Sequence, residues 1–108
     1  MLGDSVLEML SMDEELKAAV AAKAAIDMQS TAPLSSATIT ILREAIRAAT
    51  PATMFLSERQ LTEARHEVVI TFSGLIAGPP TEARIDQAKS AVEDWIKRLR
   101  EASSSYSV

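Results

Sequence analysis

Six apolar residues recur at alternating spacings of three and four positions in the last third of the chain. These spacings place side chains along one face of an α-helix, whereas a strand brings every second residue to one face. An apolar face of this length has to be buried against another helix of the same chain or against another chain. The residues of this 85–102 stripe are Ile85, Ala88, Val92, Trp95, Leu99 and Ala102.

A second periodic segment precedes the 85–102 stripe and predicts a helix over about 58–77. Gly78-Pro79-Pro80 ends that helix, and Thr81 is a suitable N-cap for the next one. Because the link between the two apolar faces is this short, the sequence predicts an antiparallel helical hairpin at the C-terminal end. The apolar residues of the earlier face are Leu61, Ala64, Val68, Phe72 and Leu75.

Further helices are predicted upstream of this hairpin. A polar linker at 30–36 is followed by helical spacing of Ile39, Leu42 and Ile46, which predicts a helix over about 36–49. Ser5 and Ser11 each begin a capping-box sequence, so we expect a short helix over about 5–10 and a longer one over about 12–29. The apolar face of the longer helix is expected to contain Leu16, Ala19, Val20 and Ile26.

The composition agrees with an all-α bundle of four main helices plus the short N-terminal helix. Aromatic residues make up only 4% of the 108-residue chain, so the core is expected to be aliphatic and rich in alanine, which favours helix. A chain of this length forms one domain, which we place at 1–102, with a flexible polar tail at 103–108. There is no cysteine, so disulfides and thiolate sites are excluded.

Two β-branched runs leave an α+β alternative open. Residues 38–42 and 67–73 alternate in a way that favours short strands, which would pair into a small sheet. The helical spacing extends beyond each run on both sides, and capping residues precede both segments. The all-α interpretation is therefore preferred.

The acidic charge is concentrated at the start of the chain. Six acidic residues accompany two lysines in the first thirty residues, whereas the remainder is balanced, which leaves a net charge of −4. Since no basic stripe is present, nucleic acid is not the expected partner. No apolar run approaches the roughly 20 residues of a membrane-spanning helix, and no signal-like segment is visible. The sequence predicts a cytoplasmic protein with no membrane partner.

Motifs for catalysis are weak in this sequence. Glu63 and His66 form an E-x-x-H pattern, which puts a carboxylate and an imidazole one turn apart, as in helical di-iron proteins. Those proteins need two such motifs, and His66 is the only histidine of the chain. A charged helix face exposed to solvent explains the pattern more simply. We predict no enzyme, no cofactor and no metal; a metal-dependent enzyme built on this motif is one alternative.

A small nucleic-acid-binding regulator is the other alternative. It would use a basic patch formed by four arginines of the predicted helices, if these converge in space. Glutamates lie close to them in sequence, so ion pairs within the chain explain the same residues without a ligand. The four arginines are Arg43, Arg47, Arg59 and Arg65.

The favoured function is protein–protein interaction or assembly, by a helical adaptor, regulator or structural subunit that associates with itself. Two features suggest this function: the 85–102 stripe and the N-terminal segment 1–12, which is rich in leucine and methionine. Tryptophan is enriched at the centre of protein interfaces, which makes Trp95 a candidate. The partner is therefore a protein, with a homo-oligomer expected. The candidate interface residues are Ile85, Val92, Trp95, Leu99, Leu7 and Leu10.

Overall fold

Helices make up nearly all of the structure. The computed structural model describes the backbone of residues 2–50 and 59–106, and the side chains of 13–50 and 59–102. It contains helix α1 at Leu2–Asp27, α2 at Ser36–Ala49, α3 at Arg59–Ala77 and α4 at Glu82–Tyr106, with no strand among these residues. The prediction of an all-α protein with four main helices is confirmed. The strand alternative is not supported, because 38–42 and 67–73 lie inside α2 and α3.

Local signals in the sequence account for several helix ends. The Ser35 hydroxyl accepts a hydrogen bond from the Thr38 amide at 3.1 Å, which caps α2. The Thr81 hydroxyl accepts from the Arg84 amide at 3.2 Å and caps α4 in the same way. Helix α3 ends at Ala77, directly before the glycine and prolines that the sequence predicts to stop it. The sequence Ser57-Glu58-Arg59-Gln60 has the capping-box pattern expected at the start of the 58–77 helix, and it falls partly outside the described residues.

The N-terminal region differs from the prediction. A single helix runs over Leu2–Asp27, so a separate short helix over 5–10 is not confirmed. The stretch from Asp4 to Asp27 contains no glycine or proline, and a serine inside a helix costs only about 0.5 kcal/mol relative to alanine. Ser11 therefore does not interrupt the helix. At the other end of the chain, α4 extends to Tyr106, past the position where we place the end of the domain.

The four helices form a closed ring of neighbours. Helix α1 contacts α2 and α4, and α3 also contacts α2 and α4. Among the described residues, α1 and α3 have no backbone contact with each other, so they lie diagonally across the bundle. Arg98 donates a hydrogen bond to Gln60 at 3.2 Å, which places the start of α3 beside the last turns of α4.

The core lies between the four helices and is built mainly from aliphatic and alanine side chains. All six residues of the 85–102 stripe are buried in it, as are the five apolar residues predicted for the face of α3. Small residues let neighbouring helices approach closely, and a few large side chains fill the space between them. The largest fully buried side chains are Trp95, Phe72, Ile26, Leu42, Leu75, Leu99, Val68 and Val92.

Candidate functional site

A buried ion pair crosses the bundle from α1 to α3. Arg65 donates from Nε to Glu15 Oε2 at 2.8 Å and from Nη2 to Glu15 Oε1 at 2.7 Å, so the contact is bidentate. Trp95 of α4 adds a third hydrogen bond, from its indole Nε1 to Glu15 Oε2 at 2.7 Å. The side chains of Glu15 and Arg65 are only 7% and 13% exposed. One carboxylate thus connects three helices inside the core.

The helical register explains how these side chains meet. Glu15 precedes Ala19, Ala22 and Ile26 at spacings of four, three and four, so it occupies a core position of α1. Arg65 follows the buried Leu61 by four positions on α3. Both polar groups point into the bundle because their helices bury the neighbouring apolar residues. Each then needs a partner, since an unpaired charge in the core is strongly unfavourable.

The chemistry of this cluster favours a structural role. Both carboxylate oxygens already accept hydrogen bonds from cationic or indole donors, and the group is shielded from solvent. A general base or a nucleophile needs to reach its substrate, and this carboxylate has no such approach. The cluster fixes α1, α3 and α4 relative to one another.

The periodicity and charge pattern of the sequence do not reveal this cluster. They place Glu15 in the acidic start of the chain, Arg65 in a candidate basic patch and Trp95 among the candidate interface residues. The partners are 50 and 80 residues apart in sequence, which hides their proximity. The available signal was register: a glutamate and an arginine each occupy a position that an apolar residue would normally hold.

Four of the six candidate interface residues are buried by the chain's own helices. Ile85, Val92, Trp95 and Leu99 are all at most 5% exposed, so none of them presents a surface to a partner in this arrangement. The side chains of Leu7 and Leu10 lie outside the described part of the chain. An interface role for these six residues stays a prediction.

The four candidate nucleic-acid-binding arginines do not form one surface. Arg65 is inside the bundle, as described above, whereas Arg43 and Arg47 are exposed on α2 and Arg59 is exposed on α3. Arg47 lies 3.5 Å from Glu44, and Arg59 lies 3.3 Å from Glu63. Ion pairs within the chain therefore involve three of the four arginines.

Glu63 and His66 of the E-x-x-H motif both lie on the exposed face of α3. Glu63 accepts a hydrogen bond from Arg59, which directs its carboxylate toward a cation of the same helix. Within the described residues, no group of three or more histidine, cysteine, aspartate or glutamate side chains is placed to hold a metal ion.

The outer face of α1 carries exposed apolar residues. Val20 is 45% exposed and Met28 is 87% exposed, and Ala21 and Ala24 between them are also exposed. We expected Val20 on the buried face with Leu16, Ala19 and Ile26. The structure corrects this: the core register of α1 runs through positions 15, 19, 22 and 26, which turns Val20 to the outside. We call Val20, Ala21, Ala24 and Met28 the α1 face.

A groove of about 580 Å³ runs along the outside of α3 and α4. Its apolar part includes Ile70, which is 52% exposed, and Ala91, which is nearly buried. Three carboxylates line it, and no basic side chain does. The residues of this α3/α4 groove are Glu67, Ile70, Thr71, Asp86, Gln87, Ser90, Ala91 and Asp94.

Comparison with known proteins adds no functional information: no family model, no curated protein and no solved structure matches the chain. Among the described residues, no helix is both long enough and apolar enough to cross a membrane. The α1 face, the α3/α4 groove and the buried cluster are the candidate functional features of the described residues.

Proposed function

We propose that the chain is a non-enzymatic assembly module that associates with itself through the α1 face. The observation that carries this proposal is the exposure of Val20 on α1 and of Met28 directly after it, with the exposed Ala21 and Ala24 between them. The 85–102 stripe, by contrast, is buried in the chain's own core. Isolated exposed apolar residues are common on proteins, but several on one helix face indicate a contact surface.

The geometry of an α-helix supports treating these four residues as one surface. Met28 lies one residue beyond the end of α1, and its amide still donates to the Ala24 carbonyl at 3.3 Å, which continues the helical turn. At 100° per residue, Val20, Ala21, Ala24 and Met28 fall within an arc of about 100°. The two alanines keep the centre of the face shallow, which lets another helix approach closely. A single helix of a second molecule can therefore cover the whole face.

Charged residues beside the α1 face favour a symmetric pair. Lys17 lies one turn before Ala21. Asp27 lies at the other end of the face, where one carboxylate oxygen already pairs with Lys23 of the same helix at 2.8 Å and the other oxygen can accept from a second cation. In an antiparallel pair of α1 helices related by a two-fold axis near position 22, Lys17 of one copy is opposite Asp27 of the other. Such an arrangement satisfies the same contact twice, as a closed dimer requires.

The backbone of α1 links this proposal to the predicted N-terminal candidates. The helix begins at Leu2, so positions 7 and 10 lie two heptads before Ala21 and Ala24. A contact along the α1 face would therefore continue toward the N-terminal end of the same helix.

The test is molar mass in solution, measured by size-exclusion chromatography with light scattering over a tenfold range of concentration. The unmodified chain is expected to form a dimer, and Val20→Glu with Met28→Glu is expected to be monomeric. Ile70→Glu is the matched control, since Ile70 is similarly exposed but lies on α3, and it should remain a dimer. Circular dichroism verifies that all variants are folded. The proposal is wrong if the unmodified chain is monomeric, or if Ile70→Glu dissociates the dimer and the α1-face variant does not.

A further inference from the structure

The α3/α4 groove combines an exposed apolar residue with carboxylates on both of its sides. Glu67 belongs to α3, whereas Asp86 and Asp94 belong to α4, and Ile70 lies between them in the lining of the groove. An apolar strip bordered by charges of one sign is the surface that an amphipathic helix with flanking charges of the opposite sign recognises.

Two of the three carboxylates are available to a partner. Within the described residues, no cation lies at ion-pair distance from Glu67 or Asp86. Asp94 is different, because its Oδ1 lies 3.5 Å from Arg98 Nε, an ion pair that lacks hydrogen-bond geometry. The negative charge of the groove is therefore neutralised only at its Asp94 end.

The size of the groove indicates the length of its occupant. Asp86 and Asp94 are eight positions apart on α4, which corresponds to about 12 Å along the helix axis. Slightly more than two turns of a second helix cover that distance. One apolar side chain over Ile70, with basic residues one turn away on either side, would match the lining residues.

We infer that the α3/α4 groove binds a basic amphipathic helix of another protein. Ile70 receives its apolar side chain, and Glu67 and Asp86 pair with its lysine or arginine residues. The net charge of −4 of the whole chain favours the approach of such a partner over an acidic one. This surface is separate from the α1 face, so the two contacts do not compete.

The probe for this inference is a synthetic helical peptide of about 14 residues, or four turns, made of leucine, lysine and alanine. Leucines occupy one face and lysines border it. Two control peptides separate the contributions: one has every lysine replaced by glutamate, and the other has the same composition in an order that gives no apolar face. Binding is followed by fluorescence anisotropy and by amide chemical shifts of the protein.

The unmodified chain is expected to bind the amphipathic basic peptide and neither control. Shifts should concentrate at residues 67–71 and 86–94. Ile70→Ser should weaken binding about tenfold, since it removes roughly one half-buried aliphatic contact. The double variant Glu67→Gln with Asp86→Asn should weaken it about as much at low salt and abolish most of its salt dependence.

Matched variants outside the groove provide the controls. Ala37→Ser changes an exposed apolar residue of α2, and Asp13→Asn with Glu14→Gln removes the same charge from α1. Both should bind the peptide as the unmodified chain does. The inference is overturned if the control peptide without an apolar face binds as tightly as the amphipathic one, or if the amphipathic peptide does not bind at about 1 mM. It is also overturned if the control variants lose as much peptide affinity as the groove variants. Because the readout is peptide affinity and not molar mass, a failure here is distinguishable from a failure of self-association.

Discussion

The ion pairs inside and outside this bundle use the same kinds of side chain in opposite surroundings. Glu15 and Arg65 meet at 2.7 Å with side chains 7% and 13% exposed, whereas Arg59 and Glu63 meet at 3.3 Å with side chains 91% and 66% exposed. The inner pair is bidentate and joins two helices, and the outer pair is a single contact within one helix.

The surroundings of each pair decide whether the stability of the fold depends on it. Water screens the outer pair, and both side chains regain full hydration if it breaks, so such pairs contribute about 0–1 kcal/mol. Breaking the inner pair leaves one charge in the core without a partner, which costs several kcal/mol. The net benefit of the intact inner pair is nevertheless small, because desolvation of both groups offsets most of their attraction.

The free energy of unfolding should fall most when one partner of the inner ion pair is removed. Arg65→Met should lower the free energy of unfolding by about 3–5 kcal/mol, because it leaves the Glu15 carboxylate buried without its cation. Arg59→Ala, at the outer pair, should change it by no more than about 0.5 kcal/mol. Urea denaturation followed by circular dichroism measures both. Similar losses in the two variants would contradict the comparison.

A double replacement tests whether the orphaned charge causes the instability of Arg65→Met, and it can be measured even if that single variant unfolds. Glu15→Leu combined with Arg65→Met removes both charges and fills the space with apolar groups of similar size. It should recover part of the stability that Arg65→Met loses, since replacing a whole buried pair is often neutral or stabilising. The recovery is incomplete because the buried Trp95 indole N–H loses its acceptor. If the double variant is as unstable as Arg65→Met, the loss of stability comes from losing the pair itself and not from the orphaned Glu15 charge.

A smaller loss of stability is expected when Trp95, which donates the third hydrogen bond to the buried ion pair of Glu15 and Arg65, is replaced. Trp95→Phe keeps an aromatic ring in the core but removes the indole donor to Glu15. We expect a loss of about 1.5–3 kcal/mol, the usual contribution of a hydrogen bond to a charged group. Phe72→Leu, a core substitution with no polar atom, is the control, and it should lose stability without depending on Glu15. In a double-mutant cycle, only Trp95→Phe should couple to Glu15→Gln.

The smallest effect concerns an outer pair and its response to pH. The hydrogen bond and charge of Asp27 raise the pKa of Lys23 above its ordinary value, with Glu93 adding to the shift and desolvation opposing it. A raised pKa means that the contribution to stability is present below the unfolded pKa of lysine and disappears as pH rises through the folded pKa. Asp27→Asn should bring the Lys23 pKa, measured by NMR titration, back toward its ordinary value. An unchanged pKa in Asp27→Asn would show that Asp27 is not the cause.

The apolar periodicity was sufficient to predict most of the fold. The start of α2, the end of α3 and the start of α4 follow from Ser35, Pro79 and Thr81, whose effect on the backbone is local. The α1 helix was predicted in two pieces because a capping sequence at Ser11 resembles a helix start when no tertiary contact is known. Local chemistry therefore predicted where most helices end, and failed where a favourable capping sequence lies inside a longer helix.

The surfaces and the inner cluster were much less predictable. Val20 was assigned to the wrong face because α1 has many alanines, which fit a buried or an exposed position equally well. Glu15, Arg65 and Trp95 depend on the packing of three helices that are distant in sequence, and a single sequence carries no direct record of that proximity. Their register positions were the only local indication.

The diagonal contact between α1 and α3 has a consequence for how this bundle avoids sliding. Alanine-rich helix faces are smooth, so displacing one helix along its axis by a turn exchanges one set of shallow contacts for a similar set. A displacement of one turn, about 5.4 Å, would carry the Glu15 carboxylate out of reach of both Arg65 and Trp95. Separating the buried charges by such a displacement costs several kcal/mol, whereas the intact pair contributes little net stability. The Glu15 carboxylate therefore adds a polar constraint on the alignment of α1 with α3 and α4 to the one that apolar packing supplies.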